Sequence, residues 1–312
     1  MKKIHKKHLM SILFILPFII FIILFYIYPF YFSLKNAFIF PDNEYKETNF
    51  IFGIKNFSLV LKDKDFWIAF NNSNFLFFLG LPISILISLI FAFLLNSLLS
   101  KIFKKIFINI IYSQFFISIF AIGISFTLLF GEKNVFFKMF NIEYNVINNK
   151  NVWVFKFYLL FFTVWKSLSF NIVFLSFIFA FLDNKYNKQI GLDKLKFKDK
   201  FIYLYFLENK KMFFILLYSN ITFTFLIYPG ILLENEADIL KINGHTFSSY
   251  ILNLLNPLDN SIYFDYNKAF AASIIVILYL FLIIVISILF YWIIKILYLK
   301  INKIKESKYV CI

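Results

Sequence analysis

Six long apolar runs, none containing an acidic residue, are the feature that most limits what this chain can fold into. Each has about 20 or more residues, the length that crosses a hydrocarbon layer of about 30 Å as a helix. The composition agrees, because 61% of the residues are hydrophobic, against about 45–50% in soluble domains. The sequence predicts an all-α polytopic membrane protein with one transmembrane domain over residues 1–312. The predicted spans are about 9–34, 72–99, 106–130, 157–182, 212–233 and 269–299.

The lysines between these spans predict the orientation of the chain. If the N-terminus is cytoplasmic, the inside segments carry 20 lysines and the outside segments carry 11. Cytoplasmic loops of membrane proteins carry an excess of Lys and Arg. We therefore expect a multi-pass protein of the cytoplasmic membrane with both termini in the cytoplasm.

The net charge of +15 is explained by that basic cytoplasmic face, which is attracted to anionic membrane lipid. All 32 basic residues are Lys, so the chain lacks the arginines that bind phosphate and guanine in a bidentate manner. The lysines also flank the spans instead of forming one stripe. These features argue against nucleic acid as a partner.

Several kinds of chemistry lack their sequence signatures. No Gly is followed by Lys, so the chain has no phosphate-binding loop for ATP. The three histidines, His5, His8 and His245, have no metal-ligand spacing. No Asp or Glu lies within a predicted span, although ion-coupled carriers generally bind their ion at an embedded carboxylate. The sequence predicts neither an enzyme nor a metal or cofactor site.

Short motifs in a fixed order carry a resemblance to a known family. Lys6-Lys7 precede a first span that contains Pro17 and ends Tyr28-Pro29-Phe-Tyr-Phe-Ser33. Between the first and second spans the motif residues are Phe52-Gly53-Ile-Lys-Asn56-Phe57, followed by Asp63, Phe66-Trp67, Ala69 and Asn72-Ser73. The second span contains Ala92 and Leu95-Asn96, and the fourth contains Val164-Trp165-Lys166 and Phe170-Asn171. The chain resembles the permease subunits of binding-protein-dependent ABC importers of the sugar and glycerol-3-phosphate type, the maltose-permease-like family.

The resemblance implies a type I permease fold and a set of partners. These are a second permease subunit, a cytoplasmic ABC ATPase dimer and an extracellular solute-binding lipoprotein. ATP would be used by the partner subunit, and the imported solute would be a carbohydrate or a glycerol-3-phosphate-like molecule. An AT-rich bacterium is the expected source, given the all-Lys basic residues and the 49 phenylalanines.

A cytoplasmic "EAA" loop of the family corresponds to the segment of about 183–211. In register at Asp193, the family Glu-Ala-Ala is Lys188-Gln189-Ile190 and the family Gly is Lys194. The resemblance implies that Tyr186, Lys188, Gln189, Ile190, Asp193, Lys194 and Phe201 form an ATPase-coupling segment. Tyr186 and Ile190 also share one face of a helix, so a helix lying on the membrane surface is the alternative.

Lys166 is the only charged residue well inside a predicted span. A lysine facing lipid at that depth costs several kcal/mol, which favours a cavity or a neighbouring helix. We expect Lys166, Asn171, Asn220 and Thr224 to line the translocation pathway. The alternative is that the ammonium of Lys166 reaches the outer interface along a tilted helix.

The sequence is also compatible with two other functions. A six-helix secondary carrier for a small polar solute is the main alternative, and internal symmetry or a coupling carboxylate would favour it. A membrane enzyme would need clustered acids at a boundary, for which Glu234, Glu236 and Asp238 are the nearest candidates.

Overall fold

The computed structural model describes residues 14–43, 46–131, 133–142, 152–193, 199–207, 210–258 and 264–309. The chain divides into two compact units. The first comprises Met1–Asp63, Leu254–Asn256 and Tyr263–Ile312, and the second comprises Lys64–Asn253 and Pro257–Ile262. The range of the second unit includes the predicted coupling segment and the predicted pathway residues.

Helices dominate the described part of the chain. They are α1 (Phe14–Ala37), α2 (Lys55–Lys62), α3 (Lys64–Ser97), α4 (Lys101–Phe116), α5 (Ile119–Phe130), α6 (Val135–Lys138), α7 (Val152–Lys185), α8 (Asn187–Leu192), α9 (Lys210–Phe225), α10 (Asp238–Lys241), α11 (Phe247–Leu255) and α12 (Tyr266–Tyr309). A π-helical segment spans Lys200–Leu207, and a 3-10 turn spans Pro229–Leu232. Strands β1 (Ile39–Asn43) and β2 (Lys46–Phe52) form an antiparallel hairpin in which Ile39 pairs with Phe52.

In the first unit, α12 packs against α1 and α2. The rings of Phe32 and Phe270 meet edge to face, with centroids 5.9 Å apart. Nδ2 of the buried Asn56 donates to the carbonyls of Ala37 and Ile39 at 2.9 and 2.8 Å. This amide therefore joins the start of α2 to the point where α1 passes into β1.

In the second unit, α3 and α7 form the principal helix pair, and α4 and α9 pack against them. One buried apolar cluster, the Phe162 cluster, includes Leu76, Phe155, Phe162 and Leu232. A second one, the Phe179 cluster, is formed by Ala92, Leu175, Phe179, Leu182, Leu204, Tyr205, Met212 and Leu216. The long helix α7 contributes to both, so it connects the two cores of this unit.

The predicted count of six spans is not confirmed. Among the residues that the structure describes, five stretches are long and apolar enough to cross a membrane: Phe14–Ala37, Lys64–Ser97, Ile119–Lys138, Val152–Lys185 and Tyr266–Ile293. The predicted span 106–130 is not one helix, because it breaks at Ile117–Ser118 between α4 and α5. The predicted span 212–233 has a described apolar helix of only Phe214–Phe225.

Pro229 accounts for part of the second difference. The residue before a proline is disfavoured in helical conformation, and Tyr228 is extended, with φ −99° and ψ 112°. Pro229 therefore keeps the helix from continuing through Tyr228. Helix α9 ends at Phe225, and the chain continues into the short turn Pro229–Leu232. Apolar character persists to Leu233, which is why the sequence alone placed the end of the span there.

Candidate functional site

Three of the predicted coupling residues contact the chain's own core. Tyr186, Ile190 and Phe201 are partly buried and pack against the Phe179 cluster. The ring of Phe201 lies 5.4 Å from that of Phe93 on α3. These apolar residues therefore position α8 and the π-helical segment against α3 and α7.

The other face of α8 is open. Lys188, Gln189 and Asp193 are exposed, and the side chain of Leu192 is 82% exposed. No atom would lie within 4 Å of a Cβ added at Gly191. A leucine presented in this way is free to contact a partner, whereas Lys194 lies outside the described residues.

An ion pair and a hydrogen bond fix the π-helical segment to the end of α7. Nζ of Lys200 lies 2.8 Å from Oδ1 of Asp183, and the hydroxyl of Tyr205 donates to the same oxygen at 2.6 Å. The Tyr205 ring also stacks on Phe179, with centroids 4.2 Å apart. Burial, followed by the hydrogen bond to Asp183 and its charge, raises the pKa of Tyr205.

Sequence reasoning missed this contact between Asp183 and Tyr205. Asp183 is the first acidic residue after Glu143, so its position directly beyond a long acid-free run was a usable signal. Its partners were not readable, because the π-helical turn that brings Lys200 and Tyr205 to it has no signature in the sequence.

Polar contacts also join α3, α4 and α7 near this end. Nζ of Lys104 donates to Oδ1 of Asn96, and Nδ2 of Asn96 donates to the carbonyl of Ser176 at 3.4 Å. Burial lowers the pKa of Lys104, and the charge of Asp183 opposes that shift. Asn96, which belongs to one of the family-like motifs, therefore has a structural role between helices.

Three of the predicted pathway residues form a buried polar network. Asn171 on α7 and Asn220 on α9 donate to each other's Oδ1, at 3.2 and 3.1 Å. Asn171 also donates to Oγ of Ser84 at 2.8 Å, and that oxygen lies 2.6 Å from Oγ of Ser167. Thr224 donates to the carbonyl of Asn220 at 2.8 Å. The network joins α3, α7 and α9, and its amide donors are satisfied within the chain.

Lys166 is not part of that network. It lines a cavity of about 70 Å³ together with Gln114, Ser169 and Phe223, beside the break between α4 and α5. Its Nζ lies 5.6 Å from the centroid of the Phe223 ring. The structure therefore separates the four predicted pathway residues into a closed network and a cavity.

The family-like run before α3 also has structural roles. Nδ2 of Asn72 donates to the carbonyls of Asn243 and His245 at 2.9 and 2.8 Å, and Oγ of Ser73 accepts from the amide of Phe247 at 3.1 Å. In the first unit, Asp63 pairs with Lys268 at 2.7 Å. Within the described residues, no group of three or more His, Cys, Asp and Glu side chains could hold a metal ion.

Comparison with known proteins gives a likeness of fold. Neither protein-family models nor curated protein sequences match the chain. Among solved structures, the chain is similar to a chain of a bacterial ABC transporter involved in the import of the acidic polysaccharide alginate, with a TM-score of 0.67 and 18% identity over 92% of this chain and 96% of that one. A second is the bacterial alginate ABC transporter in complex with an alginate pentasaccharide-bound periplasmic protein, with a TM-score of 0.66, 18% identity, and coverage of 92% and 94%.

Proposed function

We propose that this chain is a permease subunit of an ATP-driven ABC importer in the cytoplasmic membrane. The observation that carries the proposal is the likeness of fold to an ABC importer chain, with a TM-score of 0.67 over 92% of the residues. The imported solute is a carbohydrate or a glycerol-3-phosphate-like molecule. The family-like motifs support this class, and the similar transporter imports a polysaccharide.

The proposed assembly has three further kinds of subunit. A second permease completes the membrane part, two cytoplasmic ABC ATPases use ATP, and an extracellular binding protein delivers the solute. The periplasmic protein in the second similar structure supports the last of these. The chain itself is not an enzyme in this proposal and binds no cofactor.

Helix α7 is the element that would couple the ATPase to the pathway. Its 34 residues extend about 50 Å at 1.5 Å per residue. Asp183 at one end holds the π-helical segment, and Asn171 and Lys166 lie about 18 and 26 Å away along the axis. A displacement of α8 by the ATPase would therefore reach both polar sites through one continuous helix.

The ATPase would dock on the open face of α8, which carries Lys188, Gln189, Leu192 and Asp193. Leu192 is the natural anchor because it is 82% exposed. Tyr186, Ile190 and Phe201 would act indirectly, since they hold the segment against the chain's own core. Loss of ATPase docking in Phe201→Ala would therefore have two explanations. Either a direct contact with the ATPase is lost, or the coupling segment is displaced from the chain's own core.

The experiment compares Leu192→Ser with Leu99→Ser. Leu99 is 101% exposed and is the last residue of the predicted span 72–99, at its predicted cytoplasmic end and outside the coupling segment. Each tagged variant is purified from its native membranes, and the ABC ATPase that accompanies it is identified by mass and by ATP hydrolysis. We expect Leu192→Ser to lose most of the ATPase and Leu99→Ser to retain it, with equal thermal unfolding of both chains.

Two results would contradict the proposal. One is the absence of any ABC ATPase from the purified wild-type assembly. The other is solute uptake that continues without the ATPase and depends on an ion gradient, which would indicate the secondary carrier.

A further inference from the structure

Lys166 is a charged residue placed near the middle of a 34-residue apolar helix. Within the residues that the structure describes, no ion pair engages its ammonium. A cation inside a membrane segment without a counter-ion is costly, and such residues generally face a cavity and serve a substrate or ion. A counter-anion for Lys166 would therefore come from outside the described side chains.

The cavity beside Lys166 has room for a small group. Its volume is about 70 Å³, whereas an engineered cavity of about 150 Å³ takes up benzene. A carboxylate or phosphate group would fit, and a sugar ring would not. Gln114 and Ser169 also line the cavity. The Ser169 hydroxyl donates to the carbonyl of Lys166 at 3.2 Å, so Gln114 is the neutral donor available to an anion.

The cavity lies at the break between α4 and α5. Ile117 is extended there, with φ −76° and ψ 134°, and it lines the cavity. Non-helical backbone at membrane depth is tolerated where it is covered by protein or lines a polar cavity.

Aromatic rings continue from the cavity along α4. Phe115 lines the cavity and is 48% exposed. The ring of Tyr112 is nearly parallel to that of Phe115, with centroids 5.7 Å apart. Ligand sites combine apolar and aromatic lining with a few placed polar groups, so this surface suits the apolar face of a ring whose charged substituent enters the cavity.

We propose that this cavity binds the anionic group of the transported solute, and that the solute is a sugar bearing a carboxylate or a phosphate. The proposal rests on the importer function and adds the chemical class of the solute. Lys166 supplies the charge, the side-chain amide of Gln114 donates to the anion, and Phe115 and Tyr112 contact the sugar ring.

The test measures binding to the full chain in lipid nanodiscs, without partner subunits. The probes are glucuronate, glucose 6-phosphate and glucose, which share one ring and differ at C6. We expect at least one anionic probe to bind and glucose to bind more weakly. The anionic probe that binds more tightly identifies the charged group of the solute as a carboxylate or a phosphate.

The variants are Lys166→Met, Lys166→Arg and the matched control Lys156→Met. Lys156 lies on the same helix, over the ring of Trp153 rather than in the cavity. Loss of a charge-assisted hydrogen bond predicts about 10- to 100-fold weaker anion binding by Lys166→Met. Lys166→Arg should retain part of the affinity, and Lys156→Met all of it.

Equal binding of glucose and both anions would overturn the proposal, as would unchanged anion affinity in Lys166→Met. Failure of all three probes to bind would also overturn it. If, in addition, Lys166→Met loses the second permease from the assembly purified from native membranes, a carboxylate of that subunit is the counter-ion instead. The importer function is tested separately by recovery of the ABC ATPase. If the chain binds the anion but no ABC ATPase is recovered with it, the anion site is supported and the importer function is contradicted.

Discussion

The side-chain amides of Asn171 and Asn220 pair reciprocally across α7 and α9, each donating to the other's Oδ1 at 3.2 and 3.1 Å. Both side chains are buried. Because the pair satisfies itself, its clearest role is to hold the two helices in register. The translocation role predicted for these residues would require the two amides to separate.

We predict that Asn171 and Asn220 are energetically coupled. A double-mutant cycle with Asn171→Ala and Asn220→Ala should give a coupling of about 0.6 to 1.7 kcal/mol, the span of average to largest values for interhelical hydrogen bonds in membranes. Denaturant unfolding in detergent measures it. Ser125→Ala is the control, since that hydroxyl is exposed and donates only to the carbonyl of Ala121. Additive single effects at 171 and 220 would contradict the pairing.

Asn72 should anchor the segment that precedes α11. Its Nδ2 donates to two carbonyls, of Asn243 and His245, and a buried acceptor left unpaired costs about 1–3 kcal/mol. Asn72→Ala should therefore increase tryptic cleavage after Lys241, measured by mass spectrometry of the purified chain. The neighbouring Asn71 is exposed, so Asn71→Ala should leave cleavage unchanged. Equal cleavage in both variants would argue against the anchor.

The sequence predicted four of the long helices because hydrophobicity alone determines where a chain can cross a membrane. The break at Ile117–Ser118 was not readable, since neither Gly nor Pro marks it. Its stabilising contacts are tertiary or local, such as Oγ of Ser118 accepting from the amide of Phe120 at 3.3 Å. Patterns of hydrophobicity carry no information about such contacts.

The pathway residues illustrate a second limit. Residue type singled out Lys166 and Asn171, but five residues rotate a helix by about 140°, so the two side chains point in different directions from α7. Asn171 instead shares a face with Ser167, four residues away, and both reach Ser84. Which face meets which neighbouring helix depends on the packed structure.

Gly123 should be required where α5 crosses the turn Pro229–Leu232. A Cβ at this position would lie 2.6 Å from the carbonyl oxygen of Ile231, and small residues are what allow close backbone approach in membranes. Gly123→Ala should lower the thermal unfolding temperature in detergent. Gly191→Ala is the matched control in a helix with open space around it, where alanine favours the helix by up to about 1 kcal/mol. Equal unfolding temperatures would show that α5 and the turn can separate without loss.

Tyr205 should make the stability of the π-helical segment depend on alkaline pH. Burial and the bond to Asp183 raise its pKa in the folded chain, so the folded state keeps the proton at a pH where the unfolded tyrosine, with a pKa of about 10, releases it. The stabilisation is therefore complete below about pH 10 and decreases as the pH rises toward the folded pKa. Unfolding of the wild type and of Tyr205→Phe, compared from neutral to alkaline pH, should show the steeper loss in the wild type. Tyr218→Phe is the control, because it removes a hydroxyl from an exposed ring and should follow the wild-type curve. Identical dependence of unfolding on pH in the wild type and in Tyr205→Phe would mean that the contact between Tyr205 and Asp183 does not persist in the purified protein.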